Sequence, residues 1–172
     1  FISVQDLLNE VNKDSIRFMM LNRSNDVEID FDFEKVKEKT KDNPVFYVQY
    51  AYARINSILR TLKININDQI SVDPNTFQPN EYEEKILRKV FEWPKIIESA
   101  AYKLEPHKIP FYLYELSTLF HSYWSKGNED SKFRLIQDGK IKKEDSLAYI
   151  FLVAIVIKNG MNILGVSLPE KM

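Results

Sequence analysis

Side chains able to move protons near neutral pH are scarce in this chain: His107 and His121 are its two histidines, and it has no cysteine. No HExxH pair, glycine-rich phosphate cradle, or serine or cysteine nucleophile setting accompanies them. His107 follows Glu105-Pro106 at a helix entrance, where a histidine bonds the backbone. His121, near Ser117 and Trp124, reads as a packed structural residue. Carboxylates are plentiful, yet Asp30 and Asp32 stand two apart on an alternating stretch, so they point the same way, toward solvent. These features predict no independent active site. Without cysteine thiolates or paired histidines a structural metal is not expected.

Flat side chains are what the sequence supplies instead. In Val45-Phe46-Tyr47-Val48-Gln49-Tyr50-Ala51-Tyr52-Ala53-Arg54 the i, i+4 pair Tyr50 and Arg54 puts a ring beside a guanidinium on one helix face. That pair suits an unstacked nucleobase, because rings and Arg planes stack on bases while the fork of donors reaches base edges or phosphate. It suits equally a helix whose tyrosines are amphipathic core members with hydroxyls at the rim. Trp124, near a helix end beside a lysine-bearing loop, admits the same two readings. Lys126, Lys132, Arg134, Lys140, Lys142 and Lys143 crowd that later stretch as solvated surface or as a phosphate site. A net charge of −1 argues against coating nucleic acid through bulk electrostatics, so any RNA contact is local.

The elements that must position these groups are helical. With 172 residues, four glycines and little strand-type alternation, the chain predicts one core of helices at three- and four-residue apolar spacing. A first helix is expected from Ser3, boxed with Asp6 and burying Val4, Leu7, Leu8 and Val11. A second runs from Asp14 through Leu21. Val27 to Phe33 alternates apolar and acidic residues, as an extended segment would, before Phe33 to Lys39 turns helical. Residues 1–43 thus read as a connector and 44–172 as a helical domain. Asp42-Asn43-Pro44 is the clearest helix start, opening a helix from Pro44 to about Leu62. Ile64 to Asn80 is a loop. Further helices follow from Glu81, from Pro94 after a break at Trp93-Pro94, and from the Pro106 and Pro110 region toward Trp124, with Gly127 just past the end. Asp145 or Ser146 caps a last helix, Leu147 to Lys158, ended by Asn159-Gly160. No uninterrupted apolar run approaches the ~18–20 residues of a membrane span, and the start carries no signal peptide pattern. A reducing, cytoplasmic setting is the default for a chain without cysteine. The Phe start and ordinary end suggest truncation at the N-terminus.

Longer stretches carry a resemblance. Residues Asn43-Pro44-Val45-Phe46-Tyr47-Val48-Gln49-Tyr50-Ala51-Tyr52-Ala53-Arg54-Ile55 resemble a helix of the arginyl-tRNA synthetases, with Tyr52 where histidine is usual. Glu105-Pro106-His107-Lys108-Ile109-Pro110-Phe111-Tyr112-Leu113-Tyr114-Glu115-Leu116 and Phe120-His121-Ser122-Tyr123-Trp124 are similar to further motifs of that family. So is the ending from Lys158-Asn159-Gly160 to Pro169-Glu170-Lys171-Met172. Residues 1–33 look like the segment after the family's KMSKS-type signature. The resemblance implies an all-α bundle of the class I synthetase anticodon-binding type. It implies a parent enzyme that ligates arginine to tRNA with ATP and Mg through HIGH and KMSKS signatures, neither of which occurs here.

By motif, the resemblance carries RNA-binding roles over to Tyr50, Arg54, Trp124 and Met172, with Gln49 and Lys126 as weaker candidates. Trp124 stands where the family usually has tyrosine. The implied partners are the anticodon stem-loop of an arginine tRNA and a catalytic domain of the same chain, in a monomeric cytoplasmic enzyme without membrane contact. Apolar surface around Phe1, Ile2, Leu8 and Phe18 would pack on that catalytic domain. A helical protein-interaction module, or the anticodon domain of a cysteinyl or leucyl synthetase, are the competing readings.

Overall fold

In the computed structural model of the chain, residues 4–27, 36–66, 68, 72–73, 75 and 77–172 are described. Among them seven helices form an all-α bundle: α1 Val4–Glu10, α2 Lys13–Leu21, α3 Pro44–Leu62, α4 Glu81–Phe91, α5 Trp93–Tyr102, α6 Lys108–Glu129 and α7 Ser146–Leu164. A 3-10 turn at Ser131–Phe133 leads into a small antiparallel hairpin, β1 Ile136–Gln137 with β2 Lys140–Ile141.

Local chemistry sets the boundaries. Asn43 accepts from the Phe46 N–H while Pro44 takes a first-turn position where no N–H is needed, so α3 starts where expected. Asn80 and Glu83 form a reciprocal capping box at the head of α4. Asn12, rather than Asp14, caps α2 by accepting from the Ser15 N–H.

Helix α6 is the axis of the bundle and packs on α3, α4, α5 and α7. Its Leu113, Leu116 and Phe120 meet Val153, Ala154, Ile157 and Met161 of α7 in one core that also takes in Val48 and Ile55 of α3. Each such side chain, fully withdrawn from water, contributes about 1.5–3 kcal/mol. Phe18 of α2 is fully buried in this core, while Val11, Ile16 and Val36 form a second, smaller cluster.

Several expectations need correction. The last helix does not end at Gly160 but continues to Leu164, where Gly165 adopts φ 66° and supplies the stop. Gly160 lies inside because a Cβ there would stand 2.7 Å from Cδ2 of the buried Leu113, so glycine serves close packing rather than termination. Gly127 likewise sits within α6, where a Cβ would meet the Phe133 carbonyl oxygen at 3.0 Å. Helix α7 is long and apolar enough, by length and composition, to cross a membrane, although Lys158, Asn159 and Asn162 interrupt its apolar run; most of its residues are buried against the other helices. Leu8, given to the core by its spacing and to an open apolar surface by the resemblance, is exposed, and Phe18, expected on that same surface, is buried. Among the described residues the His107 ring makes no bond to the backbone, and its Nδ1 is buried without a hydrogen-bond partner. The expected cap Ser3, the residues Phe1 and Ile2, and the acidic stretch with Asp30 and Asp32 lie outside the described residues.

Candidate nucleic-acid interface

Phe46, Tyr50 and Arg54 recur every four residues along α3 and so rise along one side of it. The Phe46 and Tyr50 rings stack at 5.7 Å with 10° between planes. The Arg54 guanidinium carbon lies 4.5 Å from the Tyr50 centroid and 5.1 Å from that of Trp124, on α6. Arg54 Nη2 also donates to the Tyr50 hydroxyl. Two distant helices thus contribute one series of flat groups.

Behind Tyr50 stands His121, whose ring stacks on it at 5.4 Å and tilts against Tyr47 at 4.4 Å. His121 Nε2 donates to the Tyr47 carbonyl across 3.2 Å. Burial pulls the His121 pKa down to about 4; the bond to Tyr47 opposes this and the nearby Arg54 charge adds to it. The imidazole is therefore neutral at pH 7 and serves as a flat apolar backing. Burial also pushes the Tyr47 hydroxyl above its ordinary range.

Beside this series opens a hollow of about 480 Å³ lined by Tyr50, Arg54 and Trp124, with Ile136 of the hairpin and Lys171 and Met172 from the chain's end. The tail reaches it because Gly165 turns the backbone out of α7 and three contacts hold the residues beyond. Gln49 Nε2 donates to the Ser167 carbonyl (2.9 Å), Arg60 Nη1 to the Glu170 carbonyl (3.0 Å), and the Ser167 hydroxyl to Asp14. Leu168 packs on the core between them.

Of the residues singled out in the sequence, Tyr50, Arg54, Trp124 and Met172 meet at this hollow. Gln49 does not line it; it fixes the tail and borders a neighbouring cavity of about 520 Å³. Lys126 does not line it either and lies 3.4 Å from Glu129. Sequence reasoning missed Arg60, Ile136 and Lys171. Arg60 carried a faint signal, as a second arginine on the same helix, whereas Ile136 arrives through a hairpin that no strand pattern announced. Chemically the arrangement offers ring and guanidinium faces for stacking, donors from Arg54, the indole N–H of Trp124 and the ammonium of Lys171, and little to move a proton.

A family model described as the DALR anticodon binding domain matches residues 48–172. An arginine–tRNA ligase of Pelagibacter ubique is 54% identical over 172 residues, covering 100% of this chain and 30% of that protein. One from Ruegeria pomeroyi is 44% identical, again over 100% of this chain and 30% of its own length. The chain thus spans about a third of the curated relatives it matches. The solved arginyl t-RNA synthetase structure from Campylobacter jejuni superposes with a TM-score of 0.83 at 26% identity, covering 100% of this chain and 36% of that one. With the family model running from α3 through the last residue, the chain belongs to the DALR anticodon binding domain family.

Proposed function

We propose that this chain binds the anticodon stem and loop of an arginine tRNA and takes one base, extruded from the loop, into the hollow between α3, α6, the hairpin and the tail. The observation that carries the proposal is the meeting of Tyr50, Arg54, Trp124 and Met172 around about 480 Å³. Single-stranded loops are read by splaying bases onto aromatic and guanidinium faces, with hydrogen bonds to their edges, and these groups supply both. The family and the names of the relatives agree with this chemistry.

In the complete protein we place residues 1–43 as the connector to a catalytic domain, in a monomeric, cytoplasmic enzyme that joins arginine to its tRNA. ATP with magnesium activates arginine in that part. These 172 residues do not fit that cofactor: they contain no glycine-rich cradle, and among the described residues no group of three or more His, Cys, Asp or Glu is placed to hold a metal ion.

A titration of stem-loops tests the reading. An arginine anticodon loop should bind more tightly than one altered at its central base, and with a net charge of −1 the affinity of the chain alone should be about micromolar or weaker and fall with salt. Equal affinity for both loops would remove the base-reading role.

A further inference from the structure

The six cations at positions 126–143 are left unexplained by the base pocket, and the structure sorts them. Arg134 Nε donates to the Gly127 carbonyl at 3.2 Å and Lys142 Nζ to the Ser131 carbonyl at 2.6 Å. Lys143 donates to the Gln78 carbonyl and lies 3.4 Å from Glu83, and Lys126 lies 3.4 Å from Glu129. Lys140 is exposed and its ammonium has no hydrogen bond or ion pair among the described residues, and the ammonium of exposed Lys132 lies 5.6 Å from the ring of the adjacent Phe133. Three of the charges, Arg134, Lys142 and Lys143, therefore fasten the segment, Lys126 pairs within α6, and two remain outward and available.

The segment that carries them is fixed in place. Gly127 allows the backbone at Phe133 and Arg134 to lie against α6, at distances a Cβ would bring to 3.0 and 3.1 Å. Leu135 is buried, Ile136 and Ile141 pair across the hairpin and pack on the core, and Phe133 meets Tyr82 edge-on at 5.3 Å. Asp138 and Gly139 take φ 52° and 71°, so a tight turn with two left-handed residues sets Lys140 opposite Gln137. Ile136, one residue from Gln137, lines the same hollow as Trp124. The hairpin thus walls the hollow with Ile136, while Lys140, opposite Gln137 and so on the other side of the pleat from Ile136, extends from the hairpin's outer face, and Lys132 lies in the 3-10 turn that leads into it.

We infer that this hairpin segment is a contact for the RNA backbone, with Lys140 and Lys132 pairing with phosphates of the strand whose base enters the hollow. The inference rests on the base-reading role proposed above. A base inserted past Ile136 and Trp124 leaves its own phosphates at the rim, and a lysine ammonium binds phosphate as a point charge without requiring a fixed fork geometry. Such contacts position the RNA and carry no sequence information.

The experiment is a salt series of stem-loop binding for the 172-residue chain. Each phosphate contact in a single-stranded loop contributes about 0.7 to the slope of log affinity against log salt, which is ~2.6-fold over a fourfold rise in salt. Lys140→Ala should lower the slope by that amount and the Lys132→Ala, Lys140→Ala pair by about twice it, equally for loops with and without the arginine central base. Lys140→Arg should keep the wild-type slope, with thermal melts showing all variants folded. An unchanged slope in the double variant, alongside weakened binding by Tyr50→Ala, would overturn the hairpin contact and leave the base pocket standing. If Tyr50→Ala binds as wild type does, the base pocket itself fails and the hairpin contact falls with it.

Discussion

The Arg54 guanidinium rests on the Tyr50 ring one turn earlier on α3: its central carbon is 4.5 Å from the ring centroid while Nη2 donates to the same ring's hydroxyl. Tyr50 in turn is held by Phe46 at 5.7 Å and His121 at 5.4 Å. The arginine plane is therefore set before any ligand arrives, which reduces the ordering that binding must impose. A second ring, Trp124, faces the same guanidinium from α6 at 5.1 Å, so the flat surface does not depend on one helix.

If a base stacks in this hollow, removing a ring costs about 1–3 kcal/mol, a 5- to 150-fold loss of stem-loop affinity for Tyr50→Ala and for Trp124→Ala. Arg54→Lys keeps the charge but loses the plane and the fork, so it should also weaken binding and narrow the preference for the native central base. Fluorescence anisotropy at one fixed salt concentration measures all three. Affinities within twofold of wild type would show that these faces do not hold RNA.

Much of this arrangement was legible beforehand because it follows from local spacing. Tyr50 and Arg54 are four apart on a helix whose start Asn43-Pro44 announces, so their adjacency required only helical geometry. That Trp124 and Met172 belong beside them was implied only by likeness to a family, since nothing local brings residues so far apart in sequence together. What spacing could not give was packing. Gly160 and Gly127 look like helix stops, yet each sits where a Cβ would strike a neighbour, Leu113 or the Phe133 backbone. Such contacts are tertiary and leave no mark on the adjacent residues. Lys126, a weaker candidate by the resemblance, stands two residues beyond Trp124 on α6 and so points to another side of that helix.

The stop that does operate, Gly165, also launches the tail toward the hollow. It has φ 66°, and a Cβ there would stand 2.9 Å from Nε of Arg17, which donates to the Leu164 carbonyl. Gly165→Ala should therefore cost about 1–2 kcal/mol from the left-handed backbone alone. It should also weaken RNA binding by displacing Lys171 and Met172. A urea melt together with a stem-loop titration reads both effects; a variant as stable as wild type would mean the tail is not constrained at this residue.

Glu83 is a buried carboxylate that joins four parts of the fold. It accepts from the Tyr123 hydroxyl at 2.8 Å, the Ser146 hydroxyl at 2.7 Å and the Asn80 N–H at 2.9 Å, with Lys143 at 3.4 Å. Burial and this carboxylate push the Tyr123 hydroxyl well above its ordinary range. Glu83→Ala leaves two hydroxyls without their acceptor, at roughly 1–3 kcal/mol each, and should lower the unfolding midpoint far more than the exposed Glu84→Ala on the same helix. Similar midpoints for the two variants would reduce Glu83 to a helix cap.

His121 makes stability depend on pH in a definite window. Its folded pKa is about 4, below the ordinary 6.5, because burial disfavours the imidazolium. Between those values the unfolded chain binds a proton that the folded chain refuses, so stability rises with pH there. The contribution is complete above pH ~6.5 and is lost as pH falls toward ~4, on the order of 3 kcal/mol in all. Carboxylates titrate across part of the same range, so the comparison that isolates the histidine is with His121→Gln, which can still donate to the Tyr47 carbonyl but cannot take up the proton. Urea melts at intervals from pH 7.5 to 4, as a chosen range of about 3.5 units, should show wild type losing more stability on acidification than the variant. Parallel curves would mean that the imidazole is accepted in its charged form, and then the stacked backing it gives Tyr50 would not require neutrality.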